Sequence, residues 1–189
     1  MGVVFDDQGR QDDELKGRIG RFSQNVGMLY PLLKEKGIPT EVKILIYKTI
    51  LRPILLYGSE CWAMNTMQKS RIEAAEMRVL RLIRGVSLRD RMRSELVRRE
   101  LGVEPVLECV ERNQLRWFGH VKRMREGERL REMMDWRPEG RRPAGRPRKR
   151  WMDSVAEAVQ RRGKTVEEVE EERTFEDRNL WRRFWRRST

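Results

Sequence analysis

Cysteine and histidine are almost missing from this chain, which holds only Cys61, Cys109 and His120 in 189 residues. The two cysteines stand 48 positions apart and form no C-x-x-C pair, which excludes a zinc knuckle or finger. Reduced thiols in an intracellular protein, nuclear or cytoplasmic, are the expectation. A lone histidine without a base, nucleophile or metal ligand at usable spacing reads as a packed or hydrogen-bonded helix residue. Long apolar runs are missing too, so no membrane span is expected. The opening "MGVVFDDQGR" lacks the basic segment followed by an apolar one that marks a secretory signal. These absences together predict no metal, no cofactor, no membrane and no small-molecule substrate.

Positive charge is abundant. Lys and Arg number 42 against 30 Asp and Glu, a net charge of +12. Such a surplus suits a polyanion, because each phosphate neutralised releases condensed counterions, and RNA or DNA is the leading partner class. A basic but merely solvated surface is the bland alternative. Hydrophobic residues make up 38% of the chain, a little under the usual ~45–50%. Six Trp, three Tyr and five Phe still supply enough large anchors for a packed core.

Periodicity predicts a mainly α fold, an irregular array of about seven helices with a short N-terminal strand and a basic Pro/Gly/Arg loop. "GVVFDDQGRQDD" reads as that strand, a turn and an acidic helix start. Leu15, Ile19, Phe22, Val26, Leu29 and Leu33 place one stripe on a helix running to about Lys36, with Gly37 as its stop. The next helix is apolar nearly all round, with Val42, Leu45, Ile46, Ile50, Ile54 and Tyr57 at its wet-to-dry boundary. Pro53 is expected to kink it. A third helix opens at Thr66 and ends at Gly85, and a fourth spans Asp90 to Leu101. From Pro105 onward Leu107, Val110, Gln114, Trp117, Val121 and Met124 repeat as a core stripe. A short helical piece, "ERLREMMDW", precedes the loop. Trp151, Val155, Ala158 and Val159 set a helix reaching Gly163. In the tail, a Glu block precedes an aromatic stripe of Leu180, Trp181, Phe184 and Trp185 set among arginines, and docking against the preceding helix is expected.

Two basic features stand out as binding candidates. Arg112, Arg116 and Arg123 share one stripe, because steps of four advance only about 40° around a helix, and guanidinium groups there would meet phosphate oxygens. A solvated face with Glu108, Glu111 and Glu126 as partners is the alternative. The second feature is "GRRPAGRPRKRW" at 140–151. From Arg137 to Arg150 seven residues are basic and one acidic, +6 in fourteen positions. Arg141, Arg142, Arg146, Arg148, Lys149 and Arg150 could hold phosphates as a basic loop, read a narrow minor groove as a hook, serve as a nuclear address, or only solvate a linker. Ala144 stands where a hook would carry its first arginine. Trp62, Trp117 and Trp151 are expected to anchor the core, although Trp117, Trp136, Trp151, Trp181 and Trp185 could instead stack on unpaired bases.

"RPILLYGSECW" at 52–62, "LRWFGHVKRM" at 115–124 and "GRRPAGRPRKRWMDSV" at 140–155 resemble, in order and spacing, the C-terminal portion of non-LTR retrotransposon polyproteins, the endonuclease–reverse transcriptases. The opening segment through Leu29 is similar to the place where the polymerase palm ends and the thumb begins. The resemblance implies palm-end and thumb-like helices over 1–62, a post-polymerase helical region over 66–135, a basic linker over 136–150 and C-terminal helices over 151–189. It also implies that the polymerase carboxylates lie upstream of the matching positions. Asp6 and Asp7 only mimic such a turn, since two-metal phosphoryl transfer needs carboxylates converging from separate strands. No catalytic residue is expected. The function implied is non-catalytic grip on template RNA or primer–template phosphates, with weak self-association compatible. Three alternatives stand beside it: a helical module docking an acidic protein, a helix-turn-helix regulator around 66–101, and a decayed retroelement fragment without activity.

Overall fold

The computed structural model describes residues 12–135 and 149–186. They are mainly α-helical, and no strand occurs among them. The strand expected near the N-terminus lies outside the described residues, as do Asp6, Asp7 and loop residues 136–148. The chain forms two compact units, Met1–Ser59 with Met64–Val110 and Glu60–Ala63 with Glu111–Thr189.

The first unit contains α1 (Asp12–Lys34), α2 (Thr40–Ile46), α3 (Arg52–Leu56), α4 (Thr66–Arg84), α5 (Ser94–Leu101) and the first residues of α6 (Val106–Lys122). Three acidic residues in the first turn of α1 suit its dipole. Leu15, Phe22 and Leu33 bury that helix against a core shared with Tyr47, Leu51, Leu55, Ile72 and Leu80. Asn65 and Gln68 form a reciprocal capping box at the start of α4, and Gly85, at φ 75°, closes its end in the left-handed region.

The helix expected over 42–57 runs through 40–56 with a π-helical turn inside it. A π-helical turn, Tyr47–Leu51, separates α2 from α3, and the Arg52 amide bonds back to the Tyr47 carbonyl. Pro53 is the cause: its ring crowds the preceding turn and offers no amide, so the turn before it widens. Ile44, Tyr47, Leu51 and Leu55 face the core, whereas Val42, Leu45, Ile50 and Tyr57 are exposed. The predicted fourth helix also starts later. Arg91, at φ 49°, breaks the chain after a short 3₁₀ turn at Leu88–Asp90, and α5 begins at Ser94.

Glu76 on α4 is fully buried and is the polar centre of this unit. The Tyr47 hydroxyl donates to it at 2.6 Å, Arg98 donates through Nε at 3.1 Å and Nη2 at 2.9 Å, and the Val106 amide donates at 3.3 Å. Both carboxylate oxygens are thereby satisfied, the condition under which a buried carboxylate is tolerated.

The second unit holds the rest of α6 with α7 (Arg129–Asp135), α8 (Trp151–Gln160), α9 (Val166–Glu171) and α10 (Arg178–Arg186). Its core is Leu115, Phe118, Val155, Ala158, Val159, Val169, Phe175, Trp181 and Phe184, with Trp151 and Trp185 packed at the edge. The tail therefore docks, with Trp181 seated on α6. One expectation changes: Trp117 is half-exposed rather than a core anchor, and its neighbour Phe118 is buried instead. The reason is α10. Trp181 lies against Gly119, where any Cβ would collide with the indole, and its Nε1 donates to the Leu115 carbonyl at 2.9 Å. This close approach at Gly119 turns the Leu115–Phe118 face inward and leaves Trp117 at the rim.

Candidate nucleic-acid interface

Helix α10 opens the site by the same docking. Trp181 and Phe184 bury one of its faces, and the rings stack with centroids 5.1 Å apart. Arg178, Arg182 and Arg186 then fall at steps of four along a neighbouring face, all exposed. Across from them α6 presents Arg116, Trp117, His120 and, just past its end, Arg123. Together with Glu60, Asn113, Trp181 and Trp185 these residues line an open groove of about 840 Å³.

The groove is cationic and short of counter-charge. Five guanidinium groups meet one carboxylate, that of Glu60. Arg116, Arg178, Arg182 and Arg186 make no ion pair with any described residue. The nearby Glu111 is already engaged by Arg161 at 3.0 Å and Arg162 at 3.5 Å. Burial, and then the positive charge of Arg178, hold the Arg123 guanidinium below its ordinary value. That repulsion is what crowded cations exert on one another when nothing neutralises them. Arg123 is itself fixed by donating to the Phe175 carbonyl at 2.6 Å.

Aromatic surface runs beside the charge. Trp117 faces His120 with ring centroids 5.3 Å apart. Trp185 lies near two guanidinium groups, Arg116 at 5.8 Å and Arg186 at 5.4 Å from its ring centre, close to the ~6 Å limit of cation–π attraction.

The residues singled out from sequence are distributed unevenly. Arg116 and Arg123 line the groove, whereas Arg112 is half-buried and does not. Arg141, Arg142, Arg146 and Arg148 lie outside the described residues. Lys149 contacts both Glu157 oxygens at 2.6 Å, an internal partner that competes with phosphate. Arg150 is exposed at the start of α8, where its amide donates to Asp153 at 2.7 Å. Trp62 is 2% exposed, and its carbonyl accepts from Gln114 at 2.6 Å. The Trp151 indole donates to the Glu60 carbonyl at 2.7 Å. The sequence reading missed Arg178, Arg182 and Arg186 as site residues, although their spacing by four carries the same signal that picked out the arginines of α6.

Fold and site define a helical chain with a concave cationic groove edged by tryptophan. The chain is similar to a Caenorhabditis elegans protein described as transposon-derived and uncharacterized, with 29% identity over 155 residues. That similarity covers 79% of this chain and 56% of the other, so the chain spans little more than half the length of this relative. No family model matches the chain, and no solved structure does.

Proposed function

We propose that this chain is a non-catalytic, nucleic-acid-binding part of a non-LTR retrotransposon reverse transcriptase, gripping template RNA or primer–template phosphates. The observation that carries the reading is the convergence of five arginines on one groove lined by a single carboxylate. A cluster of that kind is stabilised by an anion, and phosphate oxygens accept the guanidinium fork in bidentate fashion. Support for the retroelement origin comes from the three sequence blocks and from the transposon-derived relative. The polymerase carboxylates of such proteins lie outside the blocks that match.

Part of the acidic tail block is engaged within the chain, which leaves less of it for pairing with the basic block of another copy. Glu170 is bonded to Lys122 at 2.7 Å, and Glu172 to Lys164.

The test is a titration of labelled RNA and DNA by fluorescence anisotropy at several salt concentrations. With ~5 phosphates engaged, the slope of log affinity against log salt is expected near −3.5 to −4.5. A response flat in salt would refute the grip.

A further inference from the structure

Charge explains only half of the groove. A phosphate clamp needs cations, yet this one is edged by the half-exposed indoles of Trp117 and Trp185 and by the exposed ring of His120. Large rings usually leave water when a core is available, and a core is adjacent. Trp181, one turn from Trp185 on the same helix, is 2% exposed within it. Trp117 and Trp185 instead keep ring surface at the groove, next to the cations.

We propose that the α6–α10 groove binds single-stranded nucleic acid. About one or two unpaired bases stack on the Trp117–His120 pair and on Trp185, while Arg116, Arg178 and Arg182 hold the flanking phosphates. The inference rests on the phosphate-grip reading and adds the class of strand to it. In a duplex every base face is covered by its neighbours, and a protein meets only base edges and backbone. Indoles in the wall would then contribute little. An unpaired strand offers each ring a partner whatever the base. Size is compatible: about 840 Å³ is on the scale of ~300–1,000 Å³ small-molecule sites, room for a base or two. The guanidinium groups of Arg116 and Arg186 sit near the outer limit of cation–π attraction to Trp185, so an entering base displaces them at little loss and they turn to phosphate.

The decisive comparison uses the full chain with oligo(dT), oligo(rU) and a duplex, each of about 12 nucleotides or base pairs, within the usual range of single-strand sites. Trp185→Leu and Trp185→Phe both keep apolar bulk at the core edge, and only the second keeps an aromatic face; Trp117→Leu and Trp117→Phe form a second pair. Either single strand should bind more tightly than duplex. The leucine variants should lose about 5- to 150-fold for single strands, the worth of one stacked base, with duplex affinity unchanged and phenylalanine retaining most of it. Equal binding of duplex and single strands, with leucine and phenylalanine indistinguishable, would overturn the stacking and leave the phosphate grip standing. Binding of none of the three would overturn both.

Discussion

Glu76 receives four hydrogen bonds in a fully buried position, and its removal leaves more than a hole. In Glu76→Ala the Arg98 guanidinium, 9% exposed at its side chain, stays charged without its nearest counter-ion, and the Tyr47 hydroxyl loses its acceptor. Breaking a buried pair from one side costs about 3–5 kcal/mol, a drop that urea unfolding would register directly. Burial, followed by the Glu76 carboxylate, also pushes the Tyr47 phenol far above its ordinary value of 10.0. The folded state keeps this proton when the unfolded chain gives it up. Stability from the phenol is thus complete below about pH 10 and drains away as the pH climbs beyond it. Melting temperature should fall more steeply above pH 10 in the parent than in Tyr47→Phe, and parallel slopes would exclude the phenol as the source. None of this was legible in the sequence. Glu76 sits in α4 among alternating charges, and nothing in its neighbours distinguishes a buried hub from a solvated face until Arg98 and Tyr47 are brought to it.

The four residues "WFGH" from Trp117 to His120 show why element positions were easier to read than element faces. Successive helical residues point about 100° apart, so Trp117 and Phe118 cannot both face one neighbour. Apolar spacing through Val110, Gln114 and Val121 fits Trp117 as well as it fits Phe118 with its neighbours, and only the arrival of α10 decides between them. Gly119 is the pivot of that choice. Gly119→Ala should push the Trp181 indole out of place, an overpacking that costs about 1–3 kcal/mol, and it should weaken nucleic-acid binding by tilting Arg178, Arg182 and Arg186 away from α6. Calorimetric melting and anisotropy together would show it; unchanged binding with lowered stability would separate the groove from the docking. Starts and stops were more readable. Gly85 ends α4 and Pro105 precedes α6 as expected, because caps are local chemistry. Pro53 predicts a kink but not the π turn that precedes it, since one extra residue per turn leaves no trace in composition.

Across the whole molecule the excess of +12 has two prominent concentrations, the groove arginines and the run 137–150. They make different predictions. Replacing Arg141, Arg142, Arg146 and Arg148 with glutamine should weaken RNA and DNA alike, while the melting curve stays put. The salt slope should flatten by roughly 0.7–0.9 for each phosphate no longer neutralised. Weakening confined to A·T-rich duplex would instead identify a minor-groove hook. Charge and fold class were readable from composition and stripes because both are sums over many residues. The groove was not, because it joins α6 to a helix more than fifty residues later in the chain.

The short piece Glu60–Ala63 belongs to the second unit although the chain on either side of it belongs to the first. Its carbonyls at Glu60 and Trp62 accept from the Trp151 indole and the Gln114 amide. The unit carrying the groove is thus discontinuous in sequence. A polypeptide begun at Glu111 would lack both acceptors, leaving two donors stranded beneath the helices that shape the groove. The groove therefore cannot be moved as one continuous segment: a chain that carries 111–186 into a new context must also bring a compatible Glu60–Trp62 segment.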